Sequence, residues 1–479
     1  MFQYSTPQTG NTQVLPKPSS AICGTFIVRN CISAIRMRAV DLKCRMKYFA
    51  LLFSSLSILF VVSYVCILTP TRLTLENLSL RGNTVKRLRQ DTRPHGRELT
   101  VDHLVDQLVS GVLSRLKNRT KLDQSGKYLV IEDLLTSHNL TSEKKHDVTL
   151  ASQCTSNHLH YVAELSKQWQ GPVSIAVFTY DDDFHFAIAS ILHLRLCFAS
   201  VAEHVTFHLA FPADRKPDTT MKLPQFENIL CSNPPPAERK GRNAPQKNFV
   251  IGSGIEYPVN LLRNVALRSV STTYVLYTDV DMTPSDNLRT SFVRHIAATS
   301  NMMSHNSTKL AYVVPAFEYS GRVTAIPLNK STVLEMWRMH TIRPFSQNIS
   351  SHCHAPTNYP RWRALPASDD KMAVAYGVKF QPKYEPYYIA PSSLPLYDER
   401  FVQWGRDRQS QVCEMHVAGY QLVVLNDAFL VHDGFKNSSQ HHATWQQELQ
   451  KNDIKYRQFQ RDLKTKYPGV KRYCNWRNV

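Results

Sequence analysis

The longest apolar stretch of the chain runs from residue 48 to residue 68, YFALLFSSLSILFVVSYVCIL, and contains no charged side chain. A helix rises about 1.5 Å per residue, so a stretch of this length would cross a bilayer core of about 30 Å. The apolar part of a cleaved signal peptide is shorter, lies near the first residue and precedes a small-residue cleavage site. The pattern therefore predicts a transmembrane signal anchor that is retained.

The charges on the two sides of this stretch differ. Its N-terminal side carries Arg36, Arg38, Lys43, Arg45 and Lys47, whereas little beyond Arg72 follows it closely. Because basic residues stay on the cytosolic side, residues 1–47 are predicted to be a cytosolic tail and residues 69–479 to be luminal. Seven Asn-x-Ser/Thr sequons support this single-pass type II topology, since all follow the anchor. They are Asn77, Asn118, Asn139, Asn306, Asn329, Asn348 and Asn437.

The luminal part changes character near residue 170. Before it, residues 69–98 are polar and basic, and apolar residues at three- and four-residue steps from Leu99 to Leu116 predict an amphipathic helix, so residues 69–169 are interpreted as a stem. After it, short apolar runs alternate with helical patterns, which predicts an α/β domain over residues 170–479, a sheet with helices on both faces. The predicted strands are Val173–Tyr180, Val205–Phe211, Thr273–Thr278, Leu310–Val314 and Gln421–Leu425, and the predicted helices are His185–Cys197 and Leu261–Val270.

Composition adds two constraints on function. The formal net charge is +19, but no run of five basic residues follows the anchor, and a luminal domain does not meet nucleic acid, so nucleic acid is not expected as a partner. Six cysteines follow the anchor, an even number that suits disulfides in an oxidising compartment, although six thiols allow fifteen complete pairings. They are Cys154, Cys197, Cys231, Cys353, Cys413 and Cys474.

Two carboxylates directly follow one of the predicted strands. The strand ending at Thr278 runs into Asp279-Val280-Asp281, and residues at i and i+2 of an extended chain point to the same side. Ligands of open α/β sheets bind beyond the carboxyl ends of strands, and two adjacent carboxylates repel each other unless a cation lies between them. Hard oxygen ligands suit Mg²⁺ or Mn²⁺, which can bridge the phosphates of UDP. Asp279 and Asp281 are therefore predicted to bind a metal beside a UDP-sugar.

Further polar residues are candidates for the same site. His432 ends the apolar segment 429–432, and an octahedral ion has room for one imidazole beside two carboxylates. A sugar transfer also needs a base for the acceptor hydroxyl proton, and the candidates are Asp398, Glu399, Asp407 and Glu414. Asp407 is favoured because it would stand at a loop-to-helix junction, where the alternative role of an Asp is to cap the helix. Asp181-Asp182-Asp183 is interpreted as a solvated turn.

Several segments match a known pattern in the same order along the chain. They are Tyr257-Pro258, Leu262-Arg263-Asn264, Asp279-Val280-Asp281-Met282, Val314-Pro315-Ala316-Phe317-Glu318, Ala355-Pro356-Thr357-Asn358-Tyr359, Asp398-Glu399-Arg400-Phe401, Phe429-Leu430-Val431-His432, Gly434-Phe435-Lys436, Tyr456-Arg457-Gln458-Phe459 and Lys466-Tyr467-Pro468. Together they resemble glycosyltransferase family 49 over residues 170–470. The resemblance implies a GT-A fold that uses Mn²⁺ and transfers glucuronate from UDP-glucuronate, with inversion, onto a β-linked xylose. It also implies a Golgi enzyme of protein O-mannosylation whose acceptor is a dystroglycan-like glycoprotein.

Carried over by position, the resemblance makes Asp279, Asp281 and His432 the metal ligands and places Arg263 and Asn264 near the nucleotide. A glucuronate carboxylate calls for an arginine fork, and several arginines are available. Two other functions stay open: a β-1,3-N-acetylglucosaminyltransferase acting on lactosamine, and a non-catalytic luminal glycan-binding protein. A homodimer, or a complex with another glycosyltransferase, is also open. The available arginines are Arg322, Arg343, Arg361, Arg363, Arg406 and Arg408.

Overall fold

The structure is a computed structural model that describes residues 101–139, 145–181, 183–217, 231, 255–300, 309–321, 325–368, 372–436 and 444–474. All of them belong to one unit, Lys86–Val479. The predicted cytosolic tail and signal anchor lie outside the described residues. Within the part of the chain that is described, no helix has the length and hydropathy needed to span a bilayer.

The described strands form two sheets. The larger sheet has ten strands in the order β1-β2-β5-β4-β3-β6-β12-β8-β13-β11, and the smaller has four in the order β10-β9-β14-β7. The strands are β1 (Lys121–Leu122), β2 (Tyr128–Leu135), β3 (Lys145–Thr155), β4 (Val173–Phe178), β5 (Val205–Pro212), β6 (Thr272–Tyr277), β7 (Met282–Pro284), β8 (Leu310–Val314), β9 (Ala316–Tyr319), β10 (Ile342–Pro344), β11 (Val374–Val378), β12 (Tyr387–Pro391), β13 (Gln421–Leu425) and β14 (Leu430–Asp433).

Helices flank the larger sheet, so the architecture is a mixed α/β sheet, as the alternation of patterns predicted. The described helices are α1 (Val101–Arg119), α2 (Tyr161–Trp169), α3 (Asp183–Cys197), α4 (Ala199–His204), α5 (Val259–Arg268), α6 (Leu288–Ser300), α7 (Lys330–Arg338), α8 (Gln347–Ser350), α9 (Tyr359–Ala364), α10 (Asp407–Val417) and α11 (Trp445–Lys466).

Four neighbouring strands at the centre of the larger sheet, β5, β4, β3 and β6, run parallel. Strands β4 and β5 are buried along their whole length, because helices cover both faces of this region. Parallel strands covered in this way consist of continuous apolar runs, which is why their sequences could be recognised. The parallel arrangement brings the carboxyl ends of β3, β4 and β6 to one edge of the sheet, where the candidate site lies.

The structure differs from the prediction over the segment that was interpreted as a stem. Residues 121–155 supply strands β1, β2 and β3, and β3 lies at the centre of the sheet between β4 and β6. The predicted amphipathic helix is present as α1, Val101–Arg119, ahead of these strands. The strand β3 was overlooked because polar residues such as Thr149 and Ser152 interrupt its apolar pattern, although both side chains are buried. The sheet therefore begins well before residue 170.

The cysteines divide into two bonded pairs and two thiols among the described residues. Cys197 is bonded to Cys231, and Cys413 on α10 is bonded to Cys474 beyond α11. Cys154 and Cys353 are buried and reduced. The pair Cys413–Cys474 lies in a small apolar cluster between α10 and α11 that also contains Phe401, so it ties the C-terminal helix to the domain.

Candidate active site

The loops that leave the parallel strands are joined at the carboxyl edge of the sheet. Ser156 Oγ, just after β3, donates to Asp183 Oδ1 at 2.6 Å, and Thr179 Oγ1, just after β4, donates to Asp183 Oδ2 at 3.2 Å. Asp181 pairs instead with Arg215 at 2.7 Å. The acidic cluster after β4 is therefore split between a structural tie and a partly exposed ion pair, and Asp182 lies outside the described residues.

Asp281 directly precedes β7 of the smaller sheet and His432 lies on β14, and these two strands are paired side by side. Residue Met282 of β7 is opposite His432 of β14 in an antiparallel register. This pairing brings His432 Nε2 to 3.3 Å from Asp281 Oδ2, while His432 Nδ1 is 2.9 Å from the carbonyl oxygen of Gly434. Burial alone would raise the pKa of Asp281, but the hydrogen bond with His432 and the charge of Lys436 bring it below its ordinary value.

The other carboxylate of the motif has different partners. Tyr387, on the strand β12 that neighbours β6, donates its hydroxyl to Asp279 Oδ2 at 2.8 Å. The guanidinium of Arg408, in the first turn of α10, binds both carboxylate oxygens of Asp279. Burial would raise the pKa of Asp279, and the positive charge of Arg408 outweighs it, so the pKa lies below its ordinary value.

The residues present suit a divalent cation. The Nδ1 atom of His432 contacts a carbonyl oxygen, which suits a proton on Nδ1, and the Nε2 atom that faces Asp281 can hold either a proton, as a hydrogen bond to the carboxylate, or a cation. An imidazole nitrogen and a carboxylate oxygen at 3.3 Å both offer electron pairs unless a proton or a cation lies between them. In the described part of the chain no three His, Cys, Asp or Glu side chains are already clustered as a metal site. Asp279 is instead paired with Arg408.

Arg263 and Asn264, which the resemblance placed near the nucleotide, are buried on α5; Arg263 binds the first residue of α10 and Asn264 binds the segment before it. Arg263 Nη1 donates to Asp407 Oδ2 at 2.7 Å, and its guanidinium stacks on the ring of Tyr397 with 5.0 Å between the guanidinium carbon and the ring centroid. Asn264 Nδ2 donates to the carbonyl of Tyr397 and to Glu399 Oε1, both at 2.8 Å. Through these contacts Arg263 positions Asp407 and Asn264 positions the segment 397–399, and their predicted proximity to a nucleotide stays a prediction.

The candidate bases are in different places. Asp407 begins α10, next to Arg408, and its side chain is 17% exposed. Glu399 is bound by Asn264 and by Arg268. Glu414 lies seven residues after Asp407 on the same helix, about 10 Å along its axis.

The remaining contacts favour Asp407 among the candidates, although its role stays a prediction. Glu414 pairs with Lys466 at 2.7 Å and accepts from Tyr467 at 2.9 Å, so it contributes to the contact between α10 and the C-terminal segment. Asp398 is held by Arg400, which also reaches Asp462 of α11. Of these carboxylates, Asp407 is the one that adjoins the residue bound to Asp279.

Two residues near the site were not singled out as site residues from sequence. Glu385 precedes β12 and accepts a hydrogen bond from Gln409; burial and the negative charge of Asp407 raise its pKa. Lys436 follows β14, with its Nζ 4.6 Å from the centroid of the Phe345 ring, and its charge contributes to the lowered pKa values of both Asp279 and Asp281. Lys436 belongs to the quoted motif around His432, but no local signal marks Glu385.

Four of the seven predicted sequons fall among described residues, and the asparagine is exposed in each: Asn118, Asn139, Asn329 and Asn348. Asn329 caps α7, where its Oδ1 accepts from the backbone N–H of Thr332 at 2.9 Å. A glycan attached to the side-chain nitrogen would leave this oxygen in place. Asn77, Asn306 and Asn437 lie outside the described residues.

The chain is similar to known proteins over most of its length. Residues 147–468 match the protein family described as glycosyl-transferase for dystroglycan. Beta-1,4-glucuronyltransferase 1 from Danio rerio is 36% identical over 364 residues, covering 74% of this chain and 83% of that protein. The human protein of the same name is 36% identical over 381 residues, covering 77% and 87% respectively.

More distant proteins also match. Human xylosyl- and glucuronyltransferase LARGE1 is 28% identical over 286 residues, covering 60% of this chain and 31% of that protein. Among solved structures, GalNAc-T7 with UDP, GalNAc and Mn²⁺ aligns with 8% identity and a TM-score of 0.34, covering 64% of this chain and 47% of that chain. The matched residues include Asp279, Asp281 and His432 and the whole of α10. This chain is a glycosyltransferase and belongs to the family of glycosyl-transferases for dystroglycan, which is glycosyltransferase family 49.

Proposed function

We propose that the chain is an inverting, metal-dependent glucuronyltransferase of GT-A fold that moves glucuronate from UDP-glucuronate to a β-linked xylose on an O-mannosyl-type glycan. The observation that carries the proposal is the approach of His432 Nε2 to Asp281 Oδ2 at 3.3 Å, two residues after Asp279 and just beyond the carboxyl end of β6. The relatives include a beta-1,4-glucuronyltransferase and a xylosyl- and glucuronyltransferase, and their names support the choice of donor. Inversion follows from that chemistry, because the sugar of UDP-glucuronate is α-linked and the product would be β-linked.

Asp279, Asp281 and His432 would hold Mn²⁺ or Mg²⁺. When bound, such a cation neutralises the charge that develops on the leaving diphosphate. Lys436 supports the same task, because its ammonium group acts on the Asp279–Asp281 pair and would add positive charge beside a diphosphate. These residues would stabilise UDP as the bond between the anomeric carbon and the phosphate oxygen breaks.

Asp407 is the candidate base. Its carboxylate is held by Arg263 at the start of α10 and remains partly exposed, so it can meet an acceptor. It would take the proton of the acceptor hydroxyl while that oxygen attacks the anomeric carbon and UDP departs. Glu399 and Glu414 are alternatives, but Glu399 pairs with Arg268 and Glu414 pairs with Lys466, whereas Asp407 adjoins the residue that binds Asp279.

The cell-biological part of the proposal rests on the sequence. The uncharged stretch at 48–68 and its basic flank support a single-pass type II protein of the Golgi membrane with a luminal catalytic domain. The family description supports a dystroglycan-like acceptor glycoprotein. Digestion with an endoglycosidase tests the topology, since Asn→Gln changes at exposed sequons such as Asn118 and Asn348 should each remove one glycan. A protein without any glycan in cells would contradict the luminal assignment.

The donor and acceptor are tested with the full-length chain purified in detergent with Mn²⁺. UDP-glucuronate, UDP-xylose and UDP-N-acetylglucosamine are offered with a β-xyloside or a lactosamine, and products are identified by mass. Gain of one glucuronate on the xyloside is the expected result. Transfer of N-acetylglucosamine to lactosamine would replace the donor and the acceptor while retaining the site. No transfer with any pair would favour a glycan-binding protein.

A further inference from the structure

The contacts in the structure distinguish among the six arginines that were candidates for recognising the carboxylate of a glucuronate donor. Of the six considered from sequence, Arg322 lies outside the described residues and four of the others have contacts away from Asp279. Arg408 is the one that binds a carboxylate of the Asp279–Asp281 motif. The four are Arg343, which binds Glu318; Arg361, which stacks on Tyr376; Arg363, which stacks on Trp337; and Arg406, which binds Asp453.

Arg408 is held in place from two sides. Its guanidinium carbon lies 4.6 Å from the centroid of the Tyr387 ring, and Tyr387 donates its own hydroxyl to Asp279. The side chain of Arg408 is 14% exposed, so its charge is largely removed from water and needs an anion nearby. It also stands in the first turn of α10, where the helix dipole disfavours a cation. An anionic partner is therefore required at this position, and Asp279 provides it.

This pairing conflicts with metal binding by Asp279. The guanidinium of Arg408 engages both carboxylate oxygens of Asp279, and these are the atoms that a divalent cation would use. One carboxylate cannot offer both of its oxygens to the guanidinium and to a divalent cation at the same time. A cation that binds Asp279 must displace the guanidinium, at least in part, and Arg408 is then left beside the metal without its counter-ion.

We propose that Arg408 is an exchangeable counter-ion. It neutralises Asp279 until a divalent cation binds, and it then recognises the carboxylate of the glucuronate on the UDP-sugar. The planar fork of an arginine matches a carboxylate through two parallel hydrogen bonds, and UDP-glucose offers no such group at carbon six. Arg408 is thus a residue that sets donor specificity, and this inference rests on the proposed glucuronyltransferase function.

The metal half of the proposal is tested without any sugar transfer. The dissociation constant of Mn²⁺ alone is measured by electron paramagnetic resonance on the full-length chain in detergent. Arg408→Gln removes the competing cation, so Mn²⁺ should bind about three- to tenfold more tightly than to the wild type. Arg406→Gln is the matched control, because that neighbouring arginine binds Asp453, and it should leave the dissociation constant unchanged. An Arg408→Gln protein that binds Mn²⁺ no more tightly than the control would overturn the exchange.

The donor half is tested by binding in the presence of saturating Mn²⁺. The ratio of the dissociation constants for UDP-glucose and UDP-glucuronate should fall at least tenfold in Arg408→Lys, which keeps the charge and loses the fork, and should not change in Arg406→Gln. An unchanged ratio in Arg408→Lys would overturn the assignment of specificity. Because this variant retains a cation for Asp279, it tests the proposal even if Arg408→Gln does not fold. A wild-type protein that binds neither UDP-sugar would instead refute the proposed function, while the Mn²⁺ measurement would still decide the exchange.

Discussion

Replacing Glu318 with Gln is expected to destabilise the smaller sheet and to weaken catalysis from a distance. Glu318 is fully buried on β9, opposite His432 of β14 and Arg343 of β10. Arg343 Nε donates to Glu318 Oε1 at 2.5 Å, and the backbone N–H groups of Ser346 and Lys436 donate to Oε2 at 3.3 and 3.2 Å. One carboxylate therefore joins three segments of the chain around the proposed metal site.

The size of the effect follows from these contacts. Removing one member of a buried ion pair costs about 3–5 kcal/mol, because the other charge remains without a partner. The side chain of Arg343 is 21% exposed, so water compensates in part, and a loss of about 2–4 kcal/mol is expected. The amide of a Gln also presents a donor where two backbone N–H groups need an acceptor. For a domain of this size the melting temperature should fall by roughly 2–8 °C.

The assay combines thermal unfolding with kinetics. Intrinsic fluorescence of the full-length protein in detergent gives the melting temperature, and Glu335→Gln on the exposed face of α7 is the matched control, expected to change it by less than about 1 °C. Because Glu318 holds Lys436 and lies beside His432, kcat/KM should also fall by about tenfold at temperatures where the variant is folded. A Glu318→Gln protein as stable as Glu335→Gln would refute the inference that this carboxylate is an essential buried acceptor.

Three further predictions concern the metal site, the core and the C-terminal segment. Asp281→Asn should reduce Mn²⁺-dependent transfer at least about a hundredfold. Asp433→Asn, at an exposed position of the same strand as His432, is the control and should leave transfer unchanged. Comparable activity of the two variants would exclude Asp281 as a metal ligand. Burial lowers the pKa of His208 to about 4, so as the pH falls from about 6.5 to 4 the unfolded chain binds a proton that the folded chain does not, and stability is lost. His208→Gln should reduce this loss by up to about 1.4 kcal/mol per pH unit, measured as a flatter decline in melting temperature. An equally steep decline in the variant would contradict the prediction. Replacing both Cys413 and Cys474 by Ser removes a bond across 61 residues and should lower the free energy of unfolding by about 4 kcal/mol, measured as a lower melting temperature. An unchanged melting temperature would show that the bond does not restrain the unfolded chain.

The sequence predicted those elements that bury both faces. The apolar runs at 173–180, 205–211, 310–314 and 421–425 correspond closely to β4, β5, β8 and β13, since most residues of these strands are buried and buried positions favour apolar side chains. The strand β3 escaped notice for the opposite reason. Its buried polar residues find partners, as Thr149 does with Thr272 at 2.7 Å, and such long-range compensation leaves no local pattern.

The same distinction applies to the candidate site. Asp279 and Asp281 were recognised because a strand ends just before them, and His432 because an apolar strand ends on it. The pairing of β14 with β7 then explains why these distant parts of the sequence meet. The ion pair of Arg263 with Asp407 could not be foreseen, because it joins residues 144 positions apart on α5 and α10. The sequence thus indicated the types of residue at the site but not the partner of each charge.

Those partners have a consequence for how the ligands of this site influence one another. Two acidic residues beside the proposed donor site are already paired with an arginine, Asp279 with Arg408 and Asp407 with Arg263, so a ligand that binds Asp279 or Arg408 must disturb an existing pair. A divalent cation that takes Asp279 leaves Arg408 in need of an anion, and the UDP-sugar supplies one. A cation on Asp279 therefore frees Arg408 for the donor, and a donor on Arg408 frees Asp279 for the cation. By linkage, the cation and the donor must raise each other's affinity by the same factor. The strength of that coupling depends on Arg408, which the local sequence does not distinguish from its neighbour Arg406.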